Sequence, residues 1–165
     1  MTIHRYGFIS DTHGRVHPDV FPLFSGVECI LHAGDVGSED VLMELNLIAP
    51  VHAVRGNVDE MGSGLPRSLR VPLAFGEAAI RHGHEDPTSQ PARIDSLLAH
   101  FGTPAPRLLM HGHSHLQYLE FRQGMWIVNP GSAGKPRFGT RASVVVLEWN
   151  EAGDTYQFRF HPLTW

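Results

Sequence analysis

Apolar residues in this chain fall into short runs, and most runs stop at a glycine beside a residue that can offer a lone pair. Tyr6 to Ser10 reads as a strand and breaks at Asp11-Thr12-His13-Gly14. A helix is expected from near His17-Pro18, since proline is favoured at an early helical position. Val27 to Ala33 repeats the design, with Cys29-Ile30-Leu31 running into His32-Ala33-Gly34-Asp35. Ser38 is a candidate N-cap for the next helix, and Glu39 and Asp40 suit the positive end of its dipole. Val41, Leu42, Leu45 and Ile48 form its apolar face, and Pro50 ends it. Val51 to Val54 is a third strand, followed by Arg55-Gly56-Asn57-Val58-Asp59.

The second half changes character. Glu60 to Arg67 reads as irregular loop. Ser68 to Phe75 and Ala78 to Arg81 are expected to form a hairpin turned at Gly76-Glu77, and the second of them ends in His82-Gly83-His84. Loop from Asp86 to Pro91 leads to a helix over Ala92 to His100, with Ile94, Leu97, Leu98 and Phe101 on one face. Leu108-Leu109-Met110 is a short buried strand that runs into His111-Gly112-His113-Ser114-His115. Gln117 to Phe121 and Trp126 to Val128 follow, turned at Gln123-Gly124, then Asn129-Pro130-Gly131-Ser132. Ala142 to Trp149 and Thr155 to Phe160 close the chain as a hairpin turned over 151–154. Strand and helix alternate early and strands dominate late. A single parallel sheet is therefore not expected. An α/β (by some schemes α+β) pair of sheets covered by helices fits better.

Composition narrows the class. With 165 residues, 42% hydrophobic and 18% charged, the chain suits one globular domain over 1–165. A formal charge of -4 without a basic run gives no footprint for a stable nucleic-acid partner or an anionic membrane. Cys29 is the only cysteine, so no intrachain disulfide forms; with no signal-peptide pattern at the start, the cytoplasm is the expected compartment. Twelve histidines are the oddity.

Each strand-end block has a bland alternative when taken alone. Asp11 could cap a helix, Gly56-Asn57 could be a simple turn, and a histidine-rich loop could be solvated. Together they gather Asp11, His13, Asp35, Asn57, His82, His113 and His115 at strand ends, where α/β proteins collect ligands. Two carboxylates, an amide oxygen and four imidazoles suit two divalent transition ions better than one zinc, which takes about four ligands. The mix of oxygen and nitrogen points away from calcium and from thiolate or iron–sulfur sites. His32 is assigned to structure, and His4, His17, His52, His100, His111 and His161 to structure or surface.

In order, Asp11-x-His13, Gly34-Asp35, Gly56-Asn57, His82-Gly83 and Gly112-His113-x-His115 resemble the calcineurin-like metallophosphoesterase superfamily, from Tyr6 to about Arg137. Gly56-Asn57-x-Asp59, His82-Gly83-His84 and Asn129-Pro130-Gly131-Ser132 look like its small bacterial and archaeal phosphodiesterase branch. The resemblance implies a metallophosphoesterase fold: a two-sheet β-sandwich of mixed sheets flanked by helices. It places one ion on Asp11, His13 and His115 and the other on Asn57, His82 and His113, with Asp35 bridging. Manganese is the first choice, with iron, zinc, nickel or cobalt as alternatives. The implied activity is hydrolysis of a small phosphodiester by a hydroxide held between two ions.

Many relatives carry a histidine after the Gly-Asn pair that helps the leaving group. Here Val58 stands there and can neither donate a proton nor carry charge. His84 is the candidate substitute, or a phosphate contact instead. Asp59 and Asn129 are expected to orient metal-ligating histidines, and Arg55, Lys135 and Arg137 to meet a substrate phosphate. Two other readings stay open: a phosphomonoesterase on the same ligands, and a non-catalytic scaffold like the retromer's small subunit of this fold. That scaffold also lacks the histidine but has a degraded ligand set. Relatives suggest a homo-oligomer.

Overall fold

A computed structural model describes residues Met1–Trp165. Ten strands and three helices run in the order β1 (Ile3–Ile9), α1 (Val20–Leu23), β2 (Cys29–His32), α2 (Glu39–Asn46), β3 (Val51–Ala53), β4 (Ser68–Leu73), β5 (Gly76–Arg81), α3 (Gln90–Phe101), β6 (Leu108–Met110), β7 (Gln117–Arg122), β8 (Met125–Pro130), β9 (Ser143–Asn150) and β10 (Thr155–Pro162). They form two five-stranded mixed sheets, β10-β9-β1-β2-β3 and β4-β5-β6-β8-β7. In each, a parallel trio (β1-β2-β3 or β5-β6-β8) is extended by antiparallel strands. The expected pair of mixed sheets is what the chain forms, with few helices.

Alternation along the strands explains the continuous apolar runs. Phe8, Leu31, Val145, Ile80, Leu108 and Met110 point into a core between the sheets. Their neighbours Ile9, Ile30, Val144 and Val146 face outward against Val20, Phe24, Val41 and Leu45 of the first two helical segments. Ala79, Leu109 and Ile127 face Ile94 and Leu97 of α3 on the other side. A strand covered on both faces has no polar side to display, which is why period two vanishes from these sequences. No helix is long and apolar enough to cross a membrane.

Several boundaries differ from expectation. β1 begins three residues before Tyr6, because antiparallel pairing with β9 (Ile3↔Asn150) carries it on. The β4–β5 hairpin turns at Ala74-Phe75, not Gly76-Glu77, since Leu73 pairs with Gly76 and buried Phe75 packs edge-on to Tyr6. The helix expected at His17-Pro18 shrinks to the single turn of α1. His17 spends its ring nitrogens on the Thr164 carbonyl and the Asp19 N–H instead. Ser38 does occupy the N-cap of α2, but its hydroxyl makes no capping bond. The irregular 60–67 loop contains one 3₁₀ turn, Met61–Ser63.

Candidate metal centre

β1, β2 and β3 are parallel neighbours, so their carboxyl ends emerge side by side. β5, β6 and β8 do the same in the other sheet. The turns after these strands bring two groups together, Asp11 with His13 and His115, and Asp35 with His82 and His113; within each, the ligand atoms lie within 4.8 Å of one another. Asn57 joins the second group, its Oδ1 3.1 Å from both His82 Nε2 and His113 Nδ1. All seven positions predicted as ligands therefore meet, drawn from both sheets.

The backbone is bent to achieve this. Asp11, His13, Asp35, His113 and His115 all have φ between 49° and 66°. That left-handed region is uncommon for residues other than glycine, with Asp and His among the better tolerated, and such residues gather at functional sites. Two glycines allow the close approach. A Cβ on Gly56 would sit 2.1 Å from Asp35 Oδ1, and one on Gly112 would sit 2.2 Å from Ser10 Oγ.

The electrostatics call for positive charge. Asp11 is fully buried, and its Oδ1 has no hydrogen-bond partner. It lies 3.2 Å from His115 Nε2 without hydrogen-bond geometry. A buried carboxylate oxygen left unpaired is costly, so a cation on the Asp11, His13 and His115 atoms fits. Burial pushes the Asp11 carboxyl up, but His115, His82 and Ser10 outweigh it and hold it below its ordinary value. Burial likewise opposes ionisation of Asp35, and the bond and charge of His82, the Val58 N–H and His13 bring it down to about 2. Burial lowers His13 and His113, which favours the neutral ring a metal needs. His82 is raised: burial pulls it down, yet Asp35 and Asp11 facing its Nε2 stabilise a positive charge there. His82 Nδ1 donates to the Ala33 carbonyl at 2.8 Å, which leaves Nε2 free to face the cluster.

Second contacts differ from expectation. Asp59 touches no histidine; its carboxylate accepts the Gly56, Gly37 and Val36 N–H groups at 2.8, 2.9 and 3.2 Å, which ties the Asn57 turn to the Asp35 turn. Asn129 also leaves the histidine rings alone. Its amide donates to the Gly112 carbonyl and Ser114 Oγ and accepts the Gly131 N–H, bracing the turn that carries His113. His32, assigned to structure, accepts the Gly34 N–H at Nδ1, and its Nε2 donates to Thr12 Oγ1, whose proton goes to the Val36 carbonyl. It thus locks the Asp11 and Asp35 turns together. Ser10 Oγ donates to Asp11 Oδ2; sequence reasoning passed over Ser10 and Thr12, which offered no signal beyond flanking Asp11.

A groove of about 490 Å³ opens onto the centre, lined by His13, Asp35, Asn57, His113 and His115 and walled by Val58, Leu116, Arg137 and Phe138. Arg137 is thus the one cation of the predicted three that lines it; Arg55 and Lys135 do not. His84 is also outside the groove. Its ring lies 5.4 Å from that of His82 and 6.2 Å from that of His113, and burial lowers its pKa.

Comparison with known proteins agrees with this geometry. A probable metallophosphoesterase from Methanothermobacter thermautotrophicus is 37% identical over 86% of this chain and 83% of its own length. The Escherichia coli K12 phosphodiesterase YfcE is 32% identical over 86% of this chain and 85% of its own length. Among solved structures, Vps29 from Chaetomium thermophilum superposes with a TM-score of 0.77 over 97% of each chain at 19% identity, a likeness of fold. Residues 5–152 match the domain that defines one superfamily of metal-dependent hydrolases, and on that match and those identities the chain belongs to the calcineurin-like phosphoesterase superfamily.

Proposed function

We propose that this protein is a phosphodiesterase that hydrolyses a small phosphodiester with two divalent cations, manganese first among them, in the cytoplasm. One observation carries the reading: Asp35 reaches both ligand groups, with Oδ2 3.8 Å from His13 Nε2 and Oδ1 3.4 Å from His82 Nε2. Asp11, His13 and His115 would hold one ion and Asn57, His82 and His113 the other, with Asp35 facing both. When bound, such a pair supplies Lewis-acid charge for the phosphate oxygens and a water of lowered pKa.

The chain's own residues set the stage. Asp11 and Asp35 are held ionised and fixed by their bonds to Ser10 and the Val58 N–H. Arg137, at the groove wall, is placed to attract the diester anion. His84 does not line the groove, but its ring lies 5.4 Å from that of His82 and 6.2 Å from that of His113, where it would contact a phosphoryl oxygen. Val58 offers no proton, so leaving groups that depart unprotonated are favoured.

The test is hydrolysis of an activated phosphodiester and its matching monoester by stripped protein reloaded with manganese, beside Asp35→Asn and with metal content measured. We expect about two ions per chain, diester cleavage that needs them, and a loss of about 10²–10³-fold in the variant. Preference for the monoester would make the protein a phosphatase. Metal binding with no turnover of either would favour the scaffold reading.

A further inference from the structure

Three side chains of the groove are apolar and outward-facing: Val58 is 47%, Leu116 54% and Phe138 101% exposed. They line the groove together with His13 and His115, and Arg137 is the only lysine or arginine in that lining. Phe138 is the unusual member. Its φ of 53° is a strained conformation for a bulky side chain, and the turn that imposes it is tied at both ends. The Thr140 N–H and hydroxyl both donate to the Arg137 carbonyl, at 3.0 and 2.7 Å. The Arg137 N–H returns to Thr140 Oγ1 at 3.3 Å. Strain of this kind persists only where surrounding contacts enforce it, and it gathers at ligand clamps. Elsewhere the exposed aromatic Phe121 has a ring partner, Trp126 at 4.9 Å; the Phe138 ring stands alone.

We propose that the groove receives the leaving arm of the ester and that Phe138 selects arms carrying a flat aromatic ring. The inference rests on the phosphodiesterase reading and names the class of substrate for the same site. An aromatic face with no partner prefers another ring, offset or edge-on, over an aliphatic chain. Val58 supports the same class through chemistry. An alkyl alcohol is a far weaker acid than a phenol, whose pKa is about 10, so an alkoxide needs a proton as it leaves and an aryl oxide does not. In the balanced step, a water oxygen bonds to phosphorus and the bond from phosphorus to the aryl oxygen breaks. The aryl oxide departs with the electron pair, and a proton of the attacking water passes to solvent. Solvent then protonates the free aryl oxide, and the products are a phosphomonoester and a phenol.

The experiment compares phenylphosphonate with methylphosphonate for binding to manganese-loaded protein by calorimetry, followed by kcat and KM on an aryl methyl phosphodiester. Wild type is expected to bind the phenyl compound about tenfold more tightly. Phe138→Ala should equalise the two and raise KM for the aryl diester with kcat little changed, while Phe138→Tyr keeps the preference. Equal affinities in wild type, or a Phe138→Leu variant indistinguishable from wild type, would overturn the selection of a ring. A protein that prefers phenylphosphonate but cleaves no diester keeps the groove and loses the phosphodiesterase reading. One that cleaves diesters equally well with and without Phe138 does the reverse.

Discussion

The two sheets bring unlike halves to the centre. The sheet of β1, β2 and β3 supplies the oxygens, Asp11, Asp35 and Asn57, and one imidazole, His13. The sheet of β5, β6 and β8 supplies imidazoles alone, His82, His113 and His115. The oxygen side is cross-tied within itself, by Asp59 onto three backbone N–H groups and by His32 between two turns. The imidazole side is braced by the Asn129 amide and by the Gly112 N–H on the His82 carbonyl, and is otherwise tied to the opposite sheet through His82 Nδ1 and the His113 N–H. Yet each ligand group draws on both sheets. The frame can be rigid in one half and still be useless unless the two halves keep their spacing, so the seam between the sheets is a functional variable.

Gly112→Ala attacks that seam, and we expect the largest effect from it. Its Cβ would lie 2.2 Å from Ser10 Oγ and 2.8 Å from Asp11 Oδ2, both on the opposite sheet. Gly56→Ala is the control within one sheet, where the Cβ would strike Asp35 Oδ1 and N. A misplacement of about 1 Å can cost 10²-fold in rate, and both variants should lose at least that on an activated diester. Both should also lower the unfolding temperature, Gly56→Ala through strain against the Asp35 backbone N at 2.3 Å and Gly112→Ala through strain between the sheets. A Gly112→Ala protein with wild-type activity would show that the spacing matters less than the ligands.

Two buried histidines carry the comparison into stability. His32, in the oxygen half, has both ring nitrogens bonded. His111, in the other half, has both unpartnered. Burial pushes each down to about 4. For His32 the sign follows directly. Its folded pKa lies below the ordinary 6.5, so the unfolded chain takes up the proton first. Stability is full above about pH 6.5 and falls as pH drops toward 4, by roughly 3 kcal/mol in all. His32→Gln should flatten part of that acid slope in thermal scans between pH 4 and 7. His32→Leu should destabilise by about 1–3 kcal/mol by stranding the Gly34 N–H, whereas His111→Leu should be near neutral because it strands nothing. An equal penalty for both would mean that His111 has partners in solution that its surroundings here do not provide.

Much of this was legible in the sequence. An apolar run, a glycine and a lone-pair residue signal a strand end, and five such blocks in order pick out the seven residues that the fold brings together. What the sequence withheld was direction. Nothing in Asp59 distinguishes a carboxylate aimed at an imidazole from one aimed at three backbone N–H groups, because the choice depends on how the 34–37 and 56–59 turns face each other. Ser10 and Thr12 look like ordinary hydroxyls until Asp11 adopts a left-handed backbone between them. Phe138 gives no periodic signal at all, since a single exposed ring in a Gly/Pro-containing segment resembles a surface residue. The hairpin turn moved from Gly76 to Phe75 for the same reason: burial against Tyr6 and Trp149 overrode local turn preference.

The smallest expected effects come from the braces themselves, and they sharpen the contrast most. Asp59→Ala frees three N–H groups beside a half-open groove, where water can replace the carboxylate. The fold should barely notice, but the Asp35 and Asn57 turns lose their common anchor. Loss of such an outer contact weakens metal binding by about 10–100-fold, which a competitive chelator titration would read. Asn129 is fully buried, so Asn129→Ala leaves the Gly131 N–H without a partner, while the Gly112 carbonyl keeps the Ser114 N–H and Ser114 Oγ keeps the Leu116 N–H. Its penalty of about 1–3 kcal/mol should appear in the unfolding temperature, with metal affinity falling less than in Asp59→Ala. If the two variants moved stability and affinity in the same proportion, the distinction between a frame that positions ligands and a brace that holds the fold would collapse. If they separate, positioning in this centre belongs to the oxygen half.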